Sequence, residues 1–130
     1  MTAFLASKYK RMAFSQRPFA ERRRLAEAIK GQYPDRVPLV IETTRNGPEF
    51  KKYKFLVPGD MTLGRVITEM RAHRVEDGTV AAHAYFFMLR DTRGNWIVPP
   101  ICEQISIVAR RYQQTDGFLY IRCQREATFG

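Results

Sequence analysis

Apolar residues recur along this chain with two different periods. Near the start, Phe19, Ala26, Ile29 and Tyr33 fall at helical spacing, while Arg22, Arg23, Arg24 and Lys30 fill much of the remaining surface. Pro18 suits the first helical turn, where its missing N–H costs nothing, and Gly31 and Pro34 are expected to stop the helix. A break around Ser15 to Pro18 leaves room for a shorter helix before it, about Ala6 to Ala13. Val37 to Thr43 and Phe50 to Val57 then read as strands, joined by the turn residues Thr44-Arg45-Asn46-Gly47-Pro48. Past Pro58-Gly59-Asp60, Thr62 is placed to cap a helix whose Leu63, Val66, Ile67 and Met70 form one apolar stripe. A polar loop, Glu76 to Thr79, leads into Ala84 to Leu89, whose apolar run without alternation suits a strand covered on both faces. Asp91 to Asn95 turns the chain into Trp96-Ile97-Val98, a hairpin. A third helix is expected over about Cys102 to Tyr112. Thr115-Asp116-Gly117 then turns into a last strand, Phe118 to Cys123.

The predicted architecture is therefore α+β: a helical arm followed by the order ββαββαβ. That is the order of a ubiquitin-like β-grasp roll, in which two hairpins and a crossing helix receive a last strand in the middle of the sheet. Three stretches follow from it: a basic arm over 1–36, the β-grasp domain over 37–123, and a flexible tail over 124–130.

Alternation in the second strand carries a further signal. Tyr53, Phe55 and Val57 share one face, so Leu56 stands with Lys52 and Lys54 on the other. In the first strand Leu39 and Ile41 share a face, which leaves Val40 opposite. If the two strands pair, Val40 and Leu56 line a small apolar pocket beside the arm helix, with Phe118 or Ile29 as a wall. Single exposed apolar residues are ordinary. Two on adjacent strands near a sheet edge point to a groove in which an extended peptide adds a strand along Lys52 to Val57.

Charge sharpens the picture. The 130 residues carry 22 Lys and Arg against 13 Asp and Glu, a net charge of +9. Nine of those cations and only three acids lie between Met1 and Arg36. Such an arm suits an acidic partner, whether nucleic acid, an anionic membrane or an acidic protein face. The longest nearly apolar stretch, Val80 to Leu89, contains His83 and is far shorter than the roughly 20 residues of a membrane helix. Thr2 to Ser7 meets Lys8, Lys10 and Arg11 too soon for a signal-peptide apolar region. Two cysteines, Cys102 and Cys123, do not make a disulfide scaffold, so a cytoplasmic protein with free thiols is expected.

The motifs Pro18-Phe19, Glu21-Arg22-Arg23 and Tyr33-Pro34-Asp35-Arg36-Val37-Pro38 resemble the N-terminal half of the autophagy ubiquitin-like modifiers, the light-chain-3 and GABARAP family. The similarity continues through Leu56-Val57-Pro58, Asp60-Met61-Thr62, Pro99-Pro100, Asp116-Gly117-Phe118-Leu119-Tyr120-Ile121 and Thr128-Phe129-Gly130, covering roughly Ser7 to Gly130. The resemblance implies a β-grasp domain with two additional N-terminal helices. It implies a modifier whose Gly130 is joined to the amine of phosphatidylethanolamine by E1-like and E2-like enzymes acting through thioesters. A cysteine protease recognising Phe129 is implied for processing or delipidation, and the lipidated form is implied to sit on autophagosomal membranes. Short aromatic-x-x-aliphatic motifs of receptors and adaptors would dock in two pockets. The first maps onto Ile29, Pro38, Val40, Lys54, Leu56 and Phe118, and the second onto Phe55, Val57, Pro58, Met61 and Val66. Arg36 is implied as a contact for a ligand carboxylate. Tubulin joins anionic lipid as a candidate partner for the arm.

Physical reasoning supports the tail independently. A terminal glycine has no side chain to obstruct a narrow channel. Seven residues from Gln124 to Gly130 reach up to about 23–25 Å when extended.

Some positions depart from the family pattern. Leu25 stands where many relatives carry an acid, Glu69 occupies a usually apolar helix position, Asp91 to Asn95 is a longer turn, and Glu76 to Ala82 holds a short insertion. Gly130 is the last residue, where relatives often continue.

Enzymatic readings find little support. No phosphate-binding glycine loop is present, and His73, His83, Cys102 and Cys123 lack zinc-site spacing, so neither a metal nor another cofactor is expected. Cys102 near a helix start is a formal nucleophile candidate but reads better as a small, partly buried thiol. The rival function is a basic nucleic-acid-binding domain, for which Tyr9, Phe14, Phe19 and Tyr33 among the arm's cations are the argument. It lacks a recognition helix or stacking motif, and no specific nucleic acid is expected.

Overall fold

The computed structural model describes residues 13–44, 47–75 and 85–125. A 3₁₀ turn, Phe14–Gln16, precedes helix α1 (Phe19–Gln32). Then follow β1 (Arg36–Thr43), β2 (Lys54–Pro58), α2 (Leu63–Arg71), β3 (Tyr85–Arg90), β4 (Trp96–Ile97), α3 (Ile105–Tyr112) and β5 (Leu119–Arg125). The sheet order is β2-β1-β5-β3-β4. β5 lies parallel to β1 and antiparallel to β3, so the last strand occupies the centre, as a ubiquitin-like roll requires.

Periodicity explains the two body helices. In α2 the stripe Leu63, Val66, Ile67 and Met70 is buried, and Thr62 caps the first turn by accepting from the Arg65 N–H at 3.3 Å. Ile105, Val108 and Ala109 are the buried face of α3. Both helices pack on Val37, Leu39, Ile41, Leu119, Ile121 and Leu89 to form the main core.

A second, smaller core lies on the opposite face of the sheet. Ala26 of α1 meets Val40, Phe118 and Tyr120 there, with Phe14, Ile29 and Trp96 packed around them. Gly117 makes this approach possible. It adopts φ +94°, and a Cβ there would come within 2.7 Å of the Ala26 Cβ.

Several expectations change. The strand expected from Phe50 begins only at Lys54, because residues 49–51 are drawn to the end of α2. There the Lys51 N–H donates to the His73 carbonyl, the Val75 N–H donates to the Glu49 carbonyl, and Phe50 bridges Arg74. β3 is not covered on both faces. Tyr85, Phe87 and Leu89 are buried while Phe86, Met88 and Arg90 are only partly so. An apolar run hides this alternation because both sets are apolar. Pro18 precedes α1 as its N-cap, and Gly31 does not stop the helix, which runs one residue further. Phe19 and Tyr33 extend past the body at either end of α1, 43% and 40% exposed, each beneath a guanidinium, of Arg22 and Arg36 respectively. β5 continues through Gln124 and Arg125, two residues into the expected tail. α3 starts three residues later than expected, leaving Cys102 in an exposed turn. The shorter helix expected at 6–13 (all but Ala13), the insertion at 76–82, and Phe129 and Gly130 lie outside the described residues.

Candidate functional site

The β1–β2 pairing assembles the predicted groove by register. Pro38 faces Leu56 and Val40 faces Lys54, whereas Leu39 faces Phe55 and Val37 faces Val57. Because side chains alternate, the first two pairs form a patch on the arm side and the last two face the main core. Being the end strand of the sheet, β2 presents its outer edge to an incoming strand.

Where the patch meets the arm there is a cavity of about 200 Å³. Val40, Ile41 and Tyr53 give it an apolar side, Ala13, Phe14 and Arg17 come from the arm, and Glu42, Thr43 and Lys54 form a polar rim. Of the six residues mapped to the first pocket, Val40 and Lys54 line this cavity. Leu56 and Ile29 are half-buried and Pro38 is buried. Val40 and Phe118 do not stand open as the strand pattern suggested, since each is only 1% exposed. Ala26, Ile29 and Trp96 pack on this cluster, and on the cavity side Phe14 joins them, its ring edge-on to Phe118 with centroids 4.9 Å apart, under the Lys54 ammonium at 5.3 Å. Ser15 Oγ donates to Glu42 Oε2 at 2.9 Å and ties this turn to β1.

The second set of residues divides. Val57 and Val66 belong to the main core at 9% and 2% exposure, because they point into the layer between sheet and helices. Phe55 and Met61 are half-buried against that core, and Pro58 is exposed at the strand end. Phe55, Pro58 and Met61 therefore supply the accessible part of this region. Arg36 pairs with Pro58 in register and lines a cleft with Pro34, Asp35, Gly59, Asp60 and Ser106. Its exposed guanidinium stacks over Tyr33 at 5.6 Å. Glu69 is exposed on α2 and pairs with Arg65, so it displaces nothing from the core. Leu25 is also exposed, on α1.

The residues that hold the arm beside this groove were invisible in the pattern. Asp116, 1% exposed, accepts from the Arg22 guanidinium at 2.6 Å and the Tyr120 hydroxyl at 2.5 Å, both on Oδ2. Its Oδ1 accepts from the Phe118 N–H at 2.9 Å. Arg22 also donates from Nε to the Arg17 carbonyl at 2.9 Å. Burial raises the Tyr120 hydroxyl above its ordinary pKa of 10.0, and the bond to Asp116 adds to the effect. A helix arginine 94 residues before its carboxylate has no local signature. The nearest hint was an Arg at an inward position of the α1 repeat.

The two thiols separate cleanly. Cys102 is exposed, whereas Cys123 is 1% exposed and burial pushes its thiol up to about 12. At neutral pH a maleimide should therefore add once to the native protein, at Cys102, and a second time only after denaturation. Two rapid additions by intact mass would contradict this burial.

A family model described as autophagy protein Atg8, ubiquitin-like, matches residues 21–130. Autophagy-related protein 8 of Dictyostelium discoideum is 36% identical over 115 residues, covering 87% of this chain and 88% of its own length. Autophagy-related protein 8b of Arabidopsis thaliana is 34% identical over 111 residues, with 82% and 84% covered. Among solved structures, Trypanosoma brucei ATG8 superposes with a TM-score of 0.67 at 28% identity, covering 90% of this chain and 96% of that one. Plasmodium falciparum Atg8, in complex with a Plasmodium falciparum Atg3 peptide, gives 0.69 at 23% identity, with 96% and 98% covered. Family match, long-range identity and shared topology agree, and the chain belongs to the Atg8 family of ubiquitin-like autophagy proteins.

Proposed function

We propose that this chain is a conjugated modifier and docking module of autophagic membranes. E1-like and E2-like enzymes carry the Gly130 carboxyl as a thioester. The amine of phosphatidylethanolamine then attacks the thioester carbonyl, so that the C–N amide bond forms, the C–S bond breaks and the enzyme thiol is released. Two acyl chains, at about 0.8 kcal/mol per buried CH₂, hold the product on a bilayer. A cysteine protease acting at Phe129-Gly130 processes the chain or cleaves the lipid again. The chain is cytoplasmic until lipidated and autophagosomal afterwards, its basic arm facing anionic lipid or tubulin. Its own chemistry is limited to presenting a carboxyl group.

One observation carries the docking half of this reading: an edge strand, β2, bears Lys54 and Leu56 next to an apolar cavity beside the arm. Aromatic-x-x-aliphatic segments of receptors and adaptors extend the sheet along that edge, with Arg36 positioned for their carboxylates. The Plasmodium falciparum protein is in complex with an Atg3 peptide. We extend to this chain the capture of short segments from its conjugation enzymes. The test is incubation with activating and conjugating enzymes, ATP and phosphatidylethanolamine liposomes, read by intact mass. Addition of one phospholipid less one water is expected, and an unchanged mass would overturn the modifier reading.

Docking has its own test. Leu56→Ala should weaken an aromatic-x-x-aliphatic peptide by more than tenfold without unfolding the domain, since a buried aliphatic anchor contributes about 1.5–3 kcal/mol. An unchanged affinity would place the groove elsewhere.

A further inference from the structure

The cavity beside β2 is small because the protein fills part of the site itself. Val40 and Phe118, which the strand pattern offers to a ligand, are sealed at 1% exposure. Among the side chains packed with them, the one that lines the cavity is Phe14, only partly buried, edge-on to Phe118 at 4.9 Å and beneath Lys54 at 5.3 Å. We propose that Phe14 is a specificity-determining residue: its ring is an internal occupant of the arm-side pocket, which an incoming aromatic side chain must displace. This inference rests on the motif-docking reading above.

The attachment of Phe14 suits an exchangeable occupant. It belongs to a 3₁₀ turn of three residues, closed by Gln16 N–H to the Ala13 carbonyl at 2.9 Å and Arg17 N–H to the Phe14 carbonyl at 3.0 Å. One side-chain hydrogen bond, Ser15 to Glu42, ties the turn to β1. Arg22 is anchored by Asp116 and holds the Arg17 carbonyl at 2.9 Å, so the end of the turn stays fixed on α1 while the segment before it, with the Phe14 ring, can swing out. Swapping this partly buried ring for a ligand's ring yields less net apolar burial than filling an open pocket. A ligand must then obtain its affinity from strand pairing and from its aliphatic anchor. Apparent affinity falls with the fraction of molecules in which the ring is seated. A larger aromatic, needing both the present cavity and the volume of the Phe14 ring, is penalised most.

The experiment compares wild type, Phe14→Ala and Ser15→Ala by calorimetric titration with Trp-x-x-Leu and Phe-x-x-Leu peptides. Phe14→Ala should bind the Trp peptide at least tenfold more tightly than wild type does, with a smaller gain for the Phe peptide. Ser15→Ala keeps the ring but cuts the tether, and should tighten binding about two- to threefold. Hydrogen exchange at the Arg17 amide of wild type should accelerate on saturation with peptide, because the bond to the Phe14 carbonyl opens. Equal or weaker binding by Phe14→Ala, in a protein whose core amides remain protected, would overturn the proposal. So would an Arg17 amide that peptide leaves unchanged or protects. If no variant binds either peptide, the docking reading falls and takes this inference with it, whereas equal affinities remove this inference alone.

Discussion

Asp116→Ala should lower the unfolding free energy by about 3–5 kcal/mol, the usual cost of removing one partner from a buried charged pair. The carboxylate is 1% exposed and satisfies three donors on separate parts of the chain: Arg22 of the arm helix, Tyr120 of β5 and the Phe118 N–H. Without it a largely buried guanidinium keeps its charge and a buried hydroxyl loses its acceptor. At this chain length the midpoint of thermal unfolding should fall by about 10–20 °C. A loss under about 1 kcal/mol in urea titration would mean that apolar contacts alone hold the arm. The same network gives a pH dependence. Tyr120 is harder to ionise folded than unfolded, so its contribution is complete below pH 10 and declines above it, by about 1.4 kcal/mol per pH unit. Tyr120→Phe should flatten that alkaline limb.

Gly130→Ala should abolish lipid conjugation while leaving the melting curve unchanged. β5 holds the backbone through Arg125, so five residues remain, reaching about 16–18 Å when extended. That is shorter than the span expected from a tail beginning at Gln124. On the proposed modifier function the terminal carbon enters the channel of a conjugating enzyme, and a methyl group there crowds the attacking nucleophile. Normal conjugation of the variant, by intact mass with phosphatidylethanolamine liposomes, would remove the modifier hypothesis. An unchanged melting curve separates the chemical effect from any loss of fold.

Legibility in the sequence followed the range of the interactions. α2 could be placed from Thr62 and the Leu63-Val66-Ile67-Met70 stripe, because both signals lie within a few residues. β1 and β5 were evident from β-branched and aromatic content, and the alternation of β2 put Leu56 beside Lys54 on the arm side of the sheet. Interactions between distant segments were not legible. Phe50 left β2 for the end of α2, and Val40 and Phe118 are sealed in a cluster that includes Phe14, a residue between the short helix expected at 6–13 and the break expected at 15–18. The second core and its Asp116 network depend on residues of the arm meeting β5, and no local period encodes that meeting. Val66 and Val57, mapped by resemblance to a pocket, are mostly core, where the apolar stripe of α2 and the alternation of β2 already put them.

β5 has a consequence for how the protein is made. It supplies the middle rung of the sheet, parallel to β1 and antiparallel to β3, yet it is translated after the other four strands. Before Leu119 to Arg125 leaves the ribosome, β1 and β3 have no common neighbour and the two halves of the sheet cannot join. Such non-local closure delays folding until β5 has emerged. A chain broken off early therefore stays unfolded and open to degradation. A partner that recognises the folded body therefore meets only molecules in which β5 has already been made.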